Sequence, residues 1–395
     1  MRMLIVMNGT TGGSGGPQIS GGDMMVLSLA TEWQRAGNDI SLMSTPAGLE
    51  LSRRCGFRPT REIQCRHSET TLFDQGLRSL DAFSTGDLAS VGHPDIIYTA
   101  CEHMYDVLTA LRIRRQAGEA TRWVALAHWV VPPVGSRNTP LVNEVAFYVN
   151  HRLGEELVAR RADLILGVSP GTARDYVDKR NAPAHRVKVT YGGFDNRVAS
   201  KVLAENPRKE YDAIFLKRLH PAKGVYDLVP IWSRVVASHP DALLQVVGEG
   251  DPDVVLRLKR RIDAAGLGEK IILRGPIYDP IEKFRAIAKS KLLLLPTYEE
   301  NWAIIIGEAL AVHVPVACYR LPELVEIWQD NVAWARVGDT DSIAAVAGAL
   351  IEGDHAKSVH TFDAVSRYSW ERIATDQLGA MRNLVRPADF TQRAT

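Results

Sequence analysis

The stretch "LLLLPTYEENWAIIIGEALAVHVPV", Leu292 to Val316, decides the fold. Four consecutive leucines closed by Pro296 read as a strand with both faces buried, the signature of a parallel sheet covered by helices. Its exit carries Glu299 and Glu300, and Glu308 follows eight residues after Glu300, at positions where packing alone favours Ser, Ala or Leu. The strand sets the architecture, and the acids pose the chemical question.

Working outward, the same alternation recurs. "MLIVMNG" is a short apolar run ending in glycine, "GGDMMVLSLATEWQRAG" sets Met25, Leu29 and Trp33 at helical spacing before Gly37, and "NDISLMST" is a second strand. Further strands are expected at 94–100, 122–129, 162–169 and 186–193, with a helix over 143–161 and another opened by Ser169-Pro170. The second half repeats the pattern at 211–219, 242–250, 270–275, 291–298, 315–320 and 332–339. The fold class is therefore α/β, with two doubly wound Rossmann-like domains facing each other across a cleft. The boundaries expected are 1–200, 201–365 and a C-terminal helix over 366–395 crossing back to the first domain, with "SKVLAENPRKE", 200–210, as linker.

The 395 residues suit two cores of ordinary size, and 47 Lys+Arg against 46 Asp+Glu give a formal charge of +1, so charge makes no case for nucleic acid. Cys55, Cys65, Cys101 and Cys318 lack metal-ligand or disulfide spacing, no apolar run is long enough to span a bilayer, and "MRMLIVMNG" is too short for a signal peptide. A cytoplasmic protein is expected, at most peripheral at the inner face of a membrane. Arg53, Arg54, Arg58, Arg61 and Arg66 with Arg112, Arg114 and Arg115 offer a basic face for a membrane-bound acceptor, or a plain solvated surface.

If the segment from Glu300 to Glu308 is helical, its rise is about 12 Å. That exceeds the roughly 5–9.5 Å between the carboxyl groups of a glycosidase pair and suits two contacts along one extended ligand. The N-terminus of such a helix, near Asn301 to Ile304, binds an anion by its unpaired N–H groups. A helix cap at Glu300 with Glu308 in water explains the spacing equally well. In "FLKRLHPAKG", Lys217 and Arg218 end a strand and Lys223 follows a tight turn, so cations stand ready for a diphosphate, or for solvent. "DPD", 251–253, and "DTD", 339–341, read as turn and cap chemistry, with Asp341 as the cap, so no metal is expected.

In order and spacing, "RLHPAKG", "VVGEG", "IILRGPI", "ENWAIIIGE", "ALAVHVPV" and "LPELVE" resemble the retaining GT-B glycosyltransferases of family 4. The helix after "GGD", "ADLILGVSPGTARDYV" and "YGGFD" agree with that family's first domain. The resemblance implies that Arg218 and Lys223 hold the donor diphosphate, Glu308 the ribose hydroxyls and Glu300 the transferred sugar. It implies that the backbone of Asn301, Trp302, Ala303 and Ile304 binds sugar hydroxyls and phosphate, that Gly22, in the loop after the first strand, lets the donor phosphate approach, and that His128 faces the sugar. Without the family, His128 reads as a core histidine bonded to backbone. Ile277 would wall the base.

The implied reaction is metal-independent transfer of a hexose-type sugar from a nucleoside-diphosphate sugar to a hydroxyl acceptor in surface glycan or glycolipid biosynthesis, with retention and no cofactor. The acceptor class stays open among glycans, glycolipids and small molecules, and no motif specifies the base or an oligomeric state. Two departures stand out, because the family usually has glycine at the positions of Asn301 and Ala303. They keep open a non-catalytic partner subunit that binds nucleotide without turnover; a phosphorylase or epimerase on the same fold is a further alternative. The run 8–22 reads as a flap over the acceptor cleft or as a bland extended loop.

Overall fold

The computed structural model describes residues 1–10, 12–13, 16–17, 20–65, 92–131, 133–134, 141–353 and 366–385. The chain divides into two compact units, residues 1–192 with 370–395, and residues 193–369.

In the first unit, strands β1 (Arg2–Met7), β4 (Asp39–Ser44), β5 (Arg61–Gln64), β6 (Ile96–Thr99), β7 (Arg122–Ala127), β8 (Leu164–Gly167) and β9 (Val187–Val189) form one sheet in the order β5-β4-β1-β6-β7-β8-β9. Every pairing in it is parallel, for example Leu4 with Ser41 on one side and Ile97 on the other. Two-residue strands β2 (Gly12–Gly13) and β3 (Gly16–Pro17) pair with each other within the glycine-rich run 8–22, whose residues 11, 14, 15, 18 and 19 lie outside the described residues. The core on one face joins Leu4, Val6, Ile97, Trp123, Ala125 and Ile165. Strand β5 is absent from the sequence reading because "REIQ" buries only Ile63 and sits at the sheet edge.

The helix Trp370–Val385 belongs to this unit and packs beside the helix Gly21–Arg35. Gln377 anchors it, accepting from the Tyr98 hydroxyl at 3.3 Å and donating to Thr190 Oγ1 at 2.7 Å. Of the C-terminal helix expected over 366–395, residues 386–395 lie outside the described residues.

The second unit has strands β10 (Tyr211–Leu216), β11 (Leu244–Val247), β12 (Ile271–Gly275), β13 (Ser290–Leu295), β14 (Val316–Tyr319) and β15 (Ala333–Ala335), all parallel, in the order β12-β11-β10-β13-β14-β15. The leucine run is explained by its place. Leu292 and Leu294 enter one core with Ala213, Phe215 and Val246, while Leu293 and Leu295 are equally buried on the opposite face. Each such leucine contributes roughly 1.5–3 kcal/mol.

The polar stretch 200–210 is not a linker throughout. Asp195 caps a helix over Asn196–Ala204, and Glu205 after it takes a forked pair from Arg285 (2.6 and 2.7 Å) on the helix Pro280–Ala288. The second unit thus begins at Gly193. Its two ends are joined, since Phe194 N donates to Tyr368 O at 3.0 Å.

In both sheets the strand order reverses beside the first strand, between β1 and β6 and between β10 and β13. Ligands of open α/β sheets bind at the carboxyl ends of the strands flanking such a switch point.

Candidate functional site

At the switch point of the second sheet, the loops after β10 and β13 are stitched together. Tyr298 N donates to Ala222 O at 2.9 Å, and Thr297 Oγ1 reaches the same carbonyl at 3.4 Å. Asp227 accepts from the hydroxyls of Tyr298 (2.6 Å) and Tyr319 (2.8 Å), bracing the β13 loop further. Gly224 makes this closeness feasible, with φ +72 and room for no side chain, because a Cβ there would lie 1.7 Å from Pro296 O.

These loops bring three of the expected or neighbouring groups together. Lys217 Nζ stands 2.7 Å and Lys223 Nζ 3.2 Å from the same oxygen of Glu300, Oε1. Lys223 also donates to the Glu299 carbonyl. Burial alone would raise the Glu300 carboxyl, but Lys217 and Lys223 together hold it below the usual glutamate value. Burial pushes the Lys223 ammonium down, opposed by Glu300. Glu300 therefore does not cap the following helix. Arg218, one residue beyond Lys217, is exposed and has no ion-pair partner among the described residues.

The helix begins at Ile304, not at Glu300, and runs to Ala311. The separation from Glu300 to Glu308 is thus half loop and half helix, and the 12 Å rise does not apply. Ala303 is its N-cap in the left-handed region (φ 53, ψ 67), with no side chain bonded to the first-turn N–H groups. The stretch Asn301 to Ile304, where the sequence leads one to expect an anion, thus ends in a helix start without a side-chain cap. Trp302 turns its side chain inward, packed on Trp328 (ring centroids 5.0 Å apart) and Tyr368 (4.9 Å), and its carbonyl accepts from Trp328 Nε1 at 2.9 Å.

Glu308 is buried and pairs with Lys283 of the helix Pro280–Ala288. Nothing in the sequence links Lys283 to Glu308, since the two lie 25 positions apart on different elements. Ile277, half-buried, lies in the loop between β12 and that helix, next to Tyr278, whose hydroxyl donates to Glu249 Oε2 at 2.7 Å. Asp251 caps its helix, accepting from Asp253 N at 2.8 Å. In the other acidic pair the cap is Asp339, which accepts from Ser342 N at 2.8 Å, while Asp341 pairs with Arg234.

The first unit brings Gly22 and His128 together. Gly22 is not in a loop; it lies in the first turn of the helix Gly21–Arg35, which Ser20 caps by accepting from Asp23 N at 3.0 Å. A Cβ on Gly22 would stand 3.0 Å from His128 Cε1, so the bare glycine leaves space for the imidazole. His128 Nε2 bonds the Ala100 carbonyl at 2.9 Å, the contact expected of a histidine held by backbone. Burial lowers its pKa, opposed by that carbonyl and by Asp23.

Behind it stand carboxyl groups that no sequence motif announces. Glu102 accepts from His128 N at 3.4 Å, and Asp106 accepts from Asn8 N at 2.8 Å and from Cys101 Sγ at 3.1 Å. Burial pushes both carboxyls up to about 7.

Of the basic face, Arg53 pairs with Glu62, Arg54 with Glu50 and Arg114 with Asp163 (3.0 Å); Arg66 lies outside the described residues. No helix among the described residues is long and apolar enough to cross a membrane.

Comparison with known proteins now bears on this geometry. Residues 200–362 match the family model "Glycosyl transferases group 1", and residues 19–197 match "Glycosyltransferase Family 4". A D-inositol 3-phosphate glycosyltransferase of Mycobacterium marinum is 24% identical over 298 residues, 68% of this chain and 62% of the relative. A protein of the same name from Streptosporangium roseum is 26% identical over 295 residues, 66% of this chain and 67% of the relative. The match thus spans less than two thirds of the first relative's length.

Among solved structures, Anabaena HepE in complex with UDP-glucose superposes with a TM-score of 0.73 at 18% identity, covering 97% of this chain and 100% of that one. Sucrose-phosphate synthase from Thermosynechococcus elongatus gives 0.68 at 15% identity, covering 97% and 98%. Two parallel sheets of this order with such neighbours make the fold GT-B. With family models matched along both halves, the chain belongs to the group 1 glycosyl transferases of glycosyltransferase family 4.

Proposed function

We propose that the protein transfers a hexose-type sugar from a nucleoside-diphosphate sugar to a hydroxyl acceptor, with retention of configuration and without a metal ion, in the synthesis of a surface glycan or glycolipid. The observation that carries this reading is the meeting of Lys223 and Glu300 at the switch point between β10 and β13, beside the uncapped N-terminus of the helix Ile304–Ala311. Breaking the bond between the anomeric carbon and phosphate leaves positive character on the sugar and negative charge on the departing diphosphate. On this reading Arg218, Lys223 and the helix N-terminus meet that charge, the commonest large contribution to such catalysis. Glu300 then accepts from sugar hydroxyls and Glu308 from the ribose, with Lys283 paired to Glu308.

Retention on this reading follows a front-face route, in which the acceptor hydroxyl attacks beside the leaving phosphate and passes its proton to it. A trapped glycosyl-enzyme adduct would rule that route out. HepE, a structural neighbour, has been observed with UDP and UDP-glucose, which supports a nucleotide-sugar donor here without naming the sugar.

The test is a thermal-shift titration of wild type and Glu308→Ala with UDP, GDP and ADP in the presence of a chelator. Stabilisation by one nucleotide, lost in the variant, is the expected result, and transfer from the matching sugar nucleotide to candidate acceptors follows it. A folded wild type that responds to none of the three would sink the donor assignment. Binding without transfer or donor hydrolysis would mark a non-catalytic subunit.

A further inference from the structure

Two ammonium groups compete for one carboxylate oxygen in the second unit, and the function proposed above employs only one of them. Lys217 Nζ is the nearer to Glu300 Oε1, at 2.7 Å against 3.2 Å for Lys223. The two lysines are anchored differently. Lys217 leaves the end of β10 with its N–H bonded to Val247 O at 3.1 Å, and Gly248 packs so tightly on its carbonyl that an added Cβ would lie 1.9 Å away. Lys223 sits at the end of the single turn Pro221–Lys223, in the same loop as exposed Arg218 and His220. A diphosphate recruits a cation most easily from that turn, yet a buried carboxylate stripped of its counter-charge pays heavily in desolvation.

We propose that Lys217 is a positioning residue, which keeps Glu300 ionised and oriented toward the sugar when Lys223 moves onto the donor diphosphate. The inference rests on the proposed donor site. The charges around Glu300 agree with it. Lys217 approaches from β10 and Lys223 from the turn. From its own loop come Thr297 Oγ1, 3.4 Å from Oε1, and the carbonyl of Glu299, while β14 contributes only the Cys318 thiol, which burial and Glu300 itself push up. Once Lys223 has left, Lys217 is, among the described residues, the one cation still on the carboxylate. Without Lys217, binding of the diphosphate would leave Glu300 to take a proton from solvent.

The experiment is calorimetric titration of UDP, GDP and ADP into wild type, Lys217→Met, Glu300→Gln and the double variant, from pH 6 to 8. Two buffers of different ionisation enthalpy count the protons exchanged. For the nucleotide that binds, wild type is expected to take up no proton. Lys217→Met should bind about tenfold more weakly at pH 8, take up close to one proton, and recover toward pH 6. The double variant should regain affinity and lose the linked proton.

Equal affinity and proton count in wild type and Lys217→Met would overturn the proposal. So would a loss that is the same at every pH and is not rescued in the double variant, which would make Lys217 a direct phosphate ligand. Should Lys217→Met alone not fold, Glu300→Gln and the double variant are expected to bind equally, and a further loss on removing Lys217 overturns the inference. If folded wild type binds none of the nucleotides, the donor site fails and this inference falls with it; binding by wild type with no linked proton in Lys217→Met removes the inference alone.

Discussion

Ala303 shows what a single residue does to this site. Its φ of 53 lies in the left-handed region, where a Cβ costs roughly 1–2 kcal/mol, and that turn starts the helix at Ile304, past Glu300. Ala303→Gly is expected to raise stability by about 1 kcal/mol, or a melting temperature about 2–4 °C higher, because glycine meets no penalty there. A lower melting temperature in the variant would show that the methyl group has packing value exceeding the strain. At the same scale, Glu300 and Glu308 stand out in the sequence as acid where apolar residues belong, but their pairing does not. Lys217 and Lys223 read as cations for a diphosphate and not as partners of Glu300, and Lys283 carries no signal until the chain folds around it.

Whole elements were easier to read. All six strands of the second unit are legible from their apolar runs, even β12, which buries only Ile271, while β5 escapes notice because Ile63 is the single apolar residue of its four. Helix starts were legible where a capping side chain exists, as at Ser169, which accepts from Thr172 N at 3.0 Å, and misplaced where none does, as at Ala303. The turn after β10 is the element on which Lys223 depends. Gly224→Ala would force a Cβ to within 1.7 Å of Pro296 O at a φ of +72, so the turn must move. The variant should lose about 2 kcal/mol in urea unfolding and bind nucleotide more weakly; an unchanged midpoint would mean that the turn yields freely.

At the scale of the whole molecule, pH reports on burial. Asp106 is held up at about 7 against 3.8 in the unfolded chain, so the folded state binds the extra proton between those values. Its contribution to stability therefore declines as pH rises through that window, and above pH 7 the cost is constant, on the order of 4 kcal/mol. His128, held below 6.5, acts in the opposite direction, because folding opposes its protonation as pH falls. The clean readout is a difference. The melting temperature of Asp106→Asn should gain on wild type between pH 5 and 8, since the amide has no proton to lose. A pH-independent difference would show that Asp106 ionises as an ordinary aspartate.

By itself the sequence determined the α/β class, the strands of both sheets apart from the edge strand β5, and the residue types at the edge of the second sheet. Those follow from local rules: period, burial on two faces, caps and breakers act over a few residues. Only the tertiary structure decided which lysine meets which glutamate, that Gly22 makes room for His128, and that Glu102 and Asp106 are buried behind it. Such pairings join positions from 25 to more than 100 residues apart through strand order, and strand order is a property of the packed sheet that no local window contains.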